Sequence, residues 1–198
     1  MAYIREIPPD EATPEVRALY DLDLESLGYV ANYSKVFAHR PEVYLAWGRL
    51  IGAIRSGMDQ RRYELVTLTA ASKLQSSYCM LAHGRVMLQR NLTTSDELEV
   101  IARDYRHAGL SPVEVAMMAF AEKVALTAHA ITAQDVEALR RQGLSDTEIF
   151  DIVVTAAARC FFSKTLDAVG AEPDQNFRGL EERVRDALTV GRPLAKPA

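Results

Sequence analysis

Cysteine is scarce in this chain: there are two, Cys79 and Cys160, among 198 residues. They are too few and too far apart for the disulfide framework of a small secreted protein. Positive charge is also in deficit, with a formal net charge of −4 and no basic block. That balance argues against nucleic acid or an anionic membrane as a partner. No apolar run approaches the ~20 residues that span a bilayer, and the opening residues, MAYIREIPPDE, lack the charged and hydrophobic regions of a signal peptide. The expected setting is therefore the reducing cytoplasm, with both thiols free. Sustained alternation of strand type is missing as well, so no sheet is expected.

Helix signals follow one another instead. Residues 1–12, with Pro8 and Pro9, read as an extended arm. Thr13 and Pro14 give a cap followed by proline in the first turn, and the helix they open stops at Gly28. After a less regular stretch with one short helix around 34–38, Pro41 opens a helix in which Val43, Ala46, Trp47, Leu50 and Ile54 recur at helical spacing before Gly57. Further on, Thr94 with Glu97, Thr132 with Asp135 and Ser145 with Glu148 read as capping boxes, and Ser111 with Pro112 starts a long apolar helix. The helix expected over 146–169 is the most hydrophobic, a last amphipathic helix covers about 177–188, and residues 190–198 read as a mobile tail. Joined by short connections, these elements predict one all-α domain over 1–198, a multi-helix bundle of antiparallel helical hairpins. A weak internal echo, Leu92 and Thr93 with Asp96 against Ile131 and Thr132 with Asp135, suggests a duplicated two-helix unit.

Residues 64–83, ELVTLTAASKLQSSYCMLAH, carry the candidate chemistry. Cys79 stands four residues before His83, so both side chains project from one helical face. A thiol beside an imidazole is a nucleophile beside a base, provided a third group orients the imidazole. The nearest upstream carboxylate on the segment is Glu64, fifteen residues before the cysteine. A single straight helix, rising ~1.5 Å per residue, would hold the two roughly 22 Å apart, so the trio meets only if the helix breaks. Ser76 and Ser77, poor in helix interiors and good as caps, predict a helix over about 59–74 capped by Asp59, a turn, and a second helix from about 77. Cys79 then falls in a first turn, where free amides and the positive dipole end stabilise a thiolate.

With Glu64, the Ser76-Ser77-Tyr78-Cys79 stretch and His83 in this order and spacing, the chain resembles the AhpD-like alkylhydroperoxidases of the carboxymuconolactone decarboxylase superfamily, whose signature is a glutamate, a Cys-x-x-Cys pair and a histidine. The resemblance extends upstream through VFAHRP at 36–41 and downstream over 166–177, and is similar to a peroxidase-related subgroup. It implies an all-α AhpD-like bundle acting as a homo-oligomeric thiol peroxidase on a hydroperoxide. Cys79 would be the attacking residue, His83 its partner and Glu64 the histidine's orienter, with no cofactor required. One position departs from the pattern: Ser76 stands where the family has its resolving cysteine, and serine cannot close a disulfide. An external thiol or redox protein must then reduce the oxidised sulfur. The superfamily also implies an alternative in which His83 and Glu64 do acid–base work on carboxylate-bearing lactones while Cys79 lines the pocket. A non-catalytic oligomeric binding protein is a third reading, since fold does not dictate function.

Around this motif, Tyr78 is placed either to donate a hydrogen bond to bound peroxide or to pack at the helix start. Ser76 either bonds the thiolate or caps the helix, the cap being favoured. Cys160 lies within an apolar run, where a buried, inert thiol is the usual outcome. His39, His107 and His129 are scattered, and Cys79 with His83 lacks the further ligands of a closed zinc site, so no metal is expected.

Overall fold

The computed structural model describes residues 2–195, and among them are ten α-helices, four short 3-10 segments and no strand. In chain order the helices are α1 (Pro14–Leu27), α2 (Asn32–Phe37), α3 (Pro41–Gly57), α4 (Gln60–Lys73), α5 (Ser77–Gln89), α6 (Ser95–Asp104), α7 (Pro112–Thr127), α8 (Ala133–Arg141), α9 (Asp146–Ala168) and α10 (Glu182–Leu188). Local chemistry explains most of their starts. Asp59 accepts the Arg62 amide at 3.0 Å, Ser111 and Ser145 each form a reciprocal box with the acid three residues on, and Asp135 accepts both the amide and the hydroxyl of Thr132. Thr94 accepts the Glu97 amide, but the Glu97 carboxylate turns away to Arg61 and Thr93, so that box is only half made.

Helix α4 is the axis. Nine successive residues, Tyr63 to Ala71, are buried, which requires cover on every side. Helices α5, α7 and α9 supply that cover. Leu65, Leu68 and Ala71 belong to the larger core, with Met80, Leu98 and Phe162. Val66 and Ala70 belong to a second core, with Met117, Phe120, Leu139 and Ile152. Each fully buried large side chain contributes about 1.5–3 kcal/mol. The first turn of α4 is also clamped by charge: Arg61 pairs with Glu97 at 2.6 Å and Glu114 at 2.8 Å, and Arg62 with Glu148 at 2.7 Å. These contacts to α6, α7 and α9 fix the helix just before Glu64.

Both ends of the chain differ from the sequence expectation. The stretch 177–188 is not one helix: a 3-10 turn, Gln175–Gly179, is separated from α10 by extended backbone at Leu180. Residues 190–195, expected to be mobile, are packed, with the Gly191 amide on Ser77 Oγ at 2.8 Å and the Ala195 amide on the Pro173 carbonyl at 3.0 Å. Residues 196–198 of the expected tail lie outside the described residues. The amino-terminal arm is anchored too, by the Tyr3 amide on the Val169 carbonyl at 2.7 Å and by a 3-10 turn, Pro9–Glu11. All these partners are remote in sequence, so composition alone did not reveal them. No helix among the described residues is long and apolar enough to cross a membrane.

Candidate active site

The break between α4 and α5 builds the site. Gln75 adopts a left-handed conformation, φ 57°, and the amides of Gln75 and Ser76 bond back to the carbonyls of Ser72 at 3.0 Å and Ala71 at 2.9 Å. This pair of bonds is a Schellman ending, and it turns the chain. Ser76 occupies the cap position of α5, yet its buried hydroxyl makes no capping bond. Ser77 instead receives the Gly191 amide, which ties the carboxy-terminal segment to the first turn of α5.

The turn lays α5 against α4, and His83 meets Glu64, Nδ1 to Oε2, at 2.6 Å. Glu64 is 1 % exposed, so its carboxylate is held in place by the surrounding packing. With Nδ1–H donated to the carboxylate, Nε2 keeps the ring's lone pair for the cavity. Burial lowers the His83 pKa below its ordinary 6.5; the charge of Arg159 adds to this and that of Arg55 adds a smaller push, while Glu64 pulls the other way. The imidazole is therefore neutral at pH 7 and able to accept a proton.

Cys79 lies in the first turn of α5 and lines the same cavity as His83. No hydrogen bond joins the two. The partners of the sulfur come from α9: Ser163 Oγ donates at 3.2 Å and Arg159 Nη1 at 3.5 Å. Arg159 is 4 % exposed, with its guanidinium 5.7 Å from the ring centres of both Trp47 and Phe162. Burial works against its charge, and Cys79, Tyr63 and Glu64 together hold it protonated. Sequence reasoning missed both Arg159 and Ser163. The available signal was a lone arginine inside the apolar run of α9, since a buried charge must have a partner. Contrary to the sequence expectation, α9 is not the most hydrophobic helix, because its polar ends offset that run and α7 exceeds it.

The cavity measures about 270 Å3. Cys79, His83 and Arg159 line it, and the aromatic rings of Tyr33, Tyr44, Trp47, Tyr63, Tyr78 and Phe162 form its walls. The Tyr78 hydroxyl donates to Asp174 Oδ2 at 2.5 Å and accepts the Tyr33 amide at 3.2 Å, so its proton is committed inside the fold. Asp174 also accepts the Asn32 amide at 2.8 Å, fastening α2 to α5. Cys160, although next to Arg159, faces the Ala125 carbonyl of α7 at 4.0 Å, and burial pushes its thiol pKa up. His39 bonds the Arg5 carbonyl and His107 pairs with Asp104, each through one ring nitrogen. Among the described residues no group of three or more His, Cys, Asp or Glu side chains is arranged to hold a metal ion.

Residues 41–123 match the model of the carboxymuconolactone decarboxylase family. Among solved structures, the chain is similar to an uncharacterised peroxidase-related protein with an alkylhydroperoxidase AhpD core from Ralstonia eutropha JMP134, at 24% identity and a TM-score of 0.80 over 89% of this chain and 94% of that one. A peroxidase-related protein from Silicibacter sp. TM1040 gives 25% identity and a TM-score of 0.77 over 88% and 93%. A cysteine variant of the debrominase Bmp8, in complex with 2,3,4-tribromopyrrole, gives 15% and 0.70 over 92% and 94%. No curated protein matches the chain.

Proposed function

Because the chain belongs to the AhpD-like and carboxymuconolactone decarboxylase superfamily, we propose that it is a peroxidase-related thiol oxidoreductase in which Cys79 reduces hydroperoxides and an external thiol restores it. The observation that carries this reading is the setting of the sulfur: one cavity is lined by Cys79, Arg159 and a neutral His83 whose other nitrogen is bound to buried Glu64. The guanidinium and the Ser163 hydroxyl favour negative charge on sulfur, as do the free amides at the start of α5.

In this scheme His83 Nε2 takes the thiol proton, directly or through water. The thiolate attacks the terminal peroxide oxygen, the O–O bond breaks, and the departing alkoxide recovers the proton from His83. Sulfur loses two electrons to become sulfenic acid, and the peroxide leaves as an alcohol. Ser76 cannot resolve the sulfenic acid and Cys160 faces α7, so a first external thiol forms a mixed disulfide and releases water, and a second frees Cys79 as it takes up the disulfide. Apolar side chains exposed on α7 and α9, Leu126, Phe150 and Phe161, suit the homo-oligomer that the family implies.

Sulfenic acid trapped by dimedone after substoichiometric hydroperoxide, and located by mass spectrometry, tests the scheme. The label is expected on Cys79 alone, absent in Cys79→Ser, slowed at least about tenfold in His83→Ala, and unaccompanied by an internal disulfide with or without Cys160→Ser. A label no greater than that of the denatured protein overturns it.

A second reading rests on the same pair. His83 and Glu64 form a complete acid–base unit with no hydrogen bond to the sulfur, which fits proton transfer with Cys79 only lining the cavity. Turnover of a carboxylate-bearing lactone that survives Cys79→Ser would favour it.

A further inference from the structure

The entrance of the site carries charge that the thiol chemistry does not use. Beside the aromatic cavity lies a second depression, of about 400 Å3, which shares Arg55 and Tyr63 with it and is also lined by Gln60 and Arg90. No acidic residue lines this depression. Arg55, in the last turn of α3, holds its guanidinium 5.5 Å from the centre of the Tyr63 ring. Arg90, just past the end of α5, donates to the Gln60 side-chain oxygen at 2.9 Å. Neither has a carboxylate within ion-pair distance among the described residues, whereas the neighbouring Arg61 and Arg62 are both paired. Two unneutralised cations at the rim of a low-dielectric cleft focus a positive field on whatever enters. Arg55 also faces inward closely enough for its charge to act on His83. The cavity behind them, at about 270 Å3 and walled by aromatic rings, suits a ring-sized apolar body rather than a long chain.

Resting on the thiol-peroxidase reading of the site, we propose that the protein selects ring-sized hydroperoxides bearing an anionic group remote from the O–O bond. The reactive end lies between the aromatic walls at Cys79, and the anion sits in the outer depression between Arg55 and Arg90. Arg159 is already engaged with the sulfur, which leaves the two outer guanidinium groups for the substrate.

Trp47, the single tryptophan of the chain, lies in the cavity wall, so its fluorescence reads occupancy without any reaction. The probes are 3-phenylpropionate and its neutral counterpart 3-phenylpropanol, titrated at low salt. The acid is expected to bind at least about fivefold more tightly, with the preference shrinking as salt screens the rim. It should fall below about twofold in the Arg55→Gln/Arg90→Gln double variant and persist in Arg55→Lys. Equal affinity for the two probes, no binding of either, or a preference unchanged in the double variant overturns the proposal. Sulfenylation of the wild type by hydrogen peroxide, which has no remote charge, reads the thiol chemistry separately. Failure of that reaction with the acid preference intact removes the peroxidase reading and leaves the anion site supported. Successful sulfenylation without the preference does the reverse.

Discussion

Glu64→Gln keeps the side-chain volume and removes the charge, which isolates the contribution of the carboxylate to the site. In the wild type this group is 1 % exposed and accepts His83 Nδ1 at 2.6 Å. A hydrogen bond to a charged group contributes about 1.5–3 kcal/mol, against about 0.5–1.5 for a neutral one. Even with the amide oxygen facing the ring, the exchange therefore loses about 1–1.5 kcal/mol. The amide can also turn its NH2 toward Nδ1, which drives the ring proton to Nε2 and leaves no lone pair facing the cavity. At one factor of ten per 1.4 kcal/mol, and with the wrong tautomer added, oxidation of Cys79 should slow by about 10–100-fold. Protonation of the ring would not be the cause, because Glu64 raises the His83 pKa and its loss leaves the imidazole neutral to still lower pH. Stopped-flow oxidation under excess hydroperoxide gives the rate, and 15N spectra of the imidazole show which nitrogen is protonated. The wild type should show the proton on Nδ1 and the variant a shift toward Nε2. A variant that changes tautomer yet oxidises within twofold of the wild type refutes His83 as the base. An unchanged tautomer with an unchanged rate refutes Glu64 as its orienter.

Arg159→Met preserves bulk but removes a charge 3.5 Å from the sulfur, where the attraction to a thiolate is on the order of 5 kcal/mol at an effective dielectric constant of about 20. Alkylation of Cys79 by iodoacetamide at pH 7 should slow at least about tenfold, and an unchanged rate contradicts the assignment. The same variant tests pH dependence. Because the folded-state pKa of His83 lies below its unfolded value, the unfolded chain binds more protons as pH falls through 6.5, and the folded state loses stability there. Without Arg159 the acid limb of Cys79 oxidation should move up toward pH 6.5 and this His83-linked loss of stability should shrink; unfolding in urea at pH 7 and 5.5 measures the latter. Gly191→Ala puts a Cβ 2.0 Å from the Gln75 backbone carbonyl oxygen, which that atom cannot yield to without moving the turn. A Tm at least about 3 °C lower, as expected for a loss of 1–2 kcal/mol in a chain of this size, and faster proteolysis of 190–195 should follow. A variant with wild-type Tm and cleavage rate contradicts the observed packing of that segment.

Much of the scaffold was readable because helix starts are local chemistry. Asp59, Ser111, Thr132 and Ser145 announce their helices within four residues of sequence, and the structure has those helices. The acid and the imidazole could be matched because they flank one turn, although the turn itself is made by left-handed Gln75 and not by the serines beside it. A left-handed glutamine leaves no compositional trace comparable to a glycine. Arg159 and Ser163 lie about eighty residues from Cys79 and reach it only because α9 packs against the α4–α5 pair, a tertiary fact that periodicity does not encode. The Tyr78 hydroxyl was similarly opaque, since its acceptor Asp174 lies ninety-six residues away.

The cavity is assembled from two sets of helices with different duties. The acid, the imidazole, the sulfur and its guanidinium stand on α4, α5 and α9, inside the main packing of the molecule. Tyr44, Trp47, Ile51 and Arg55, which shape the space, all come from α3, which packs on α9 and leaves much of its own surface to solvent. A library confined to Tyr44 and Ile51 would retailor which molecules are admitted without touching the reacting groups, whereas Trp47 lies against the Arg159 guanidinium and the charge of Arg55 acts on His83. Divergence along a lineage could follow the same route, with one chemical framework serving successive substrates through changes on a single helix.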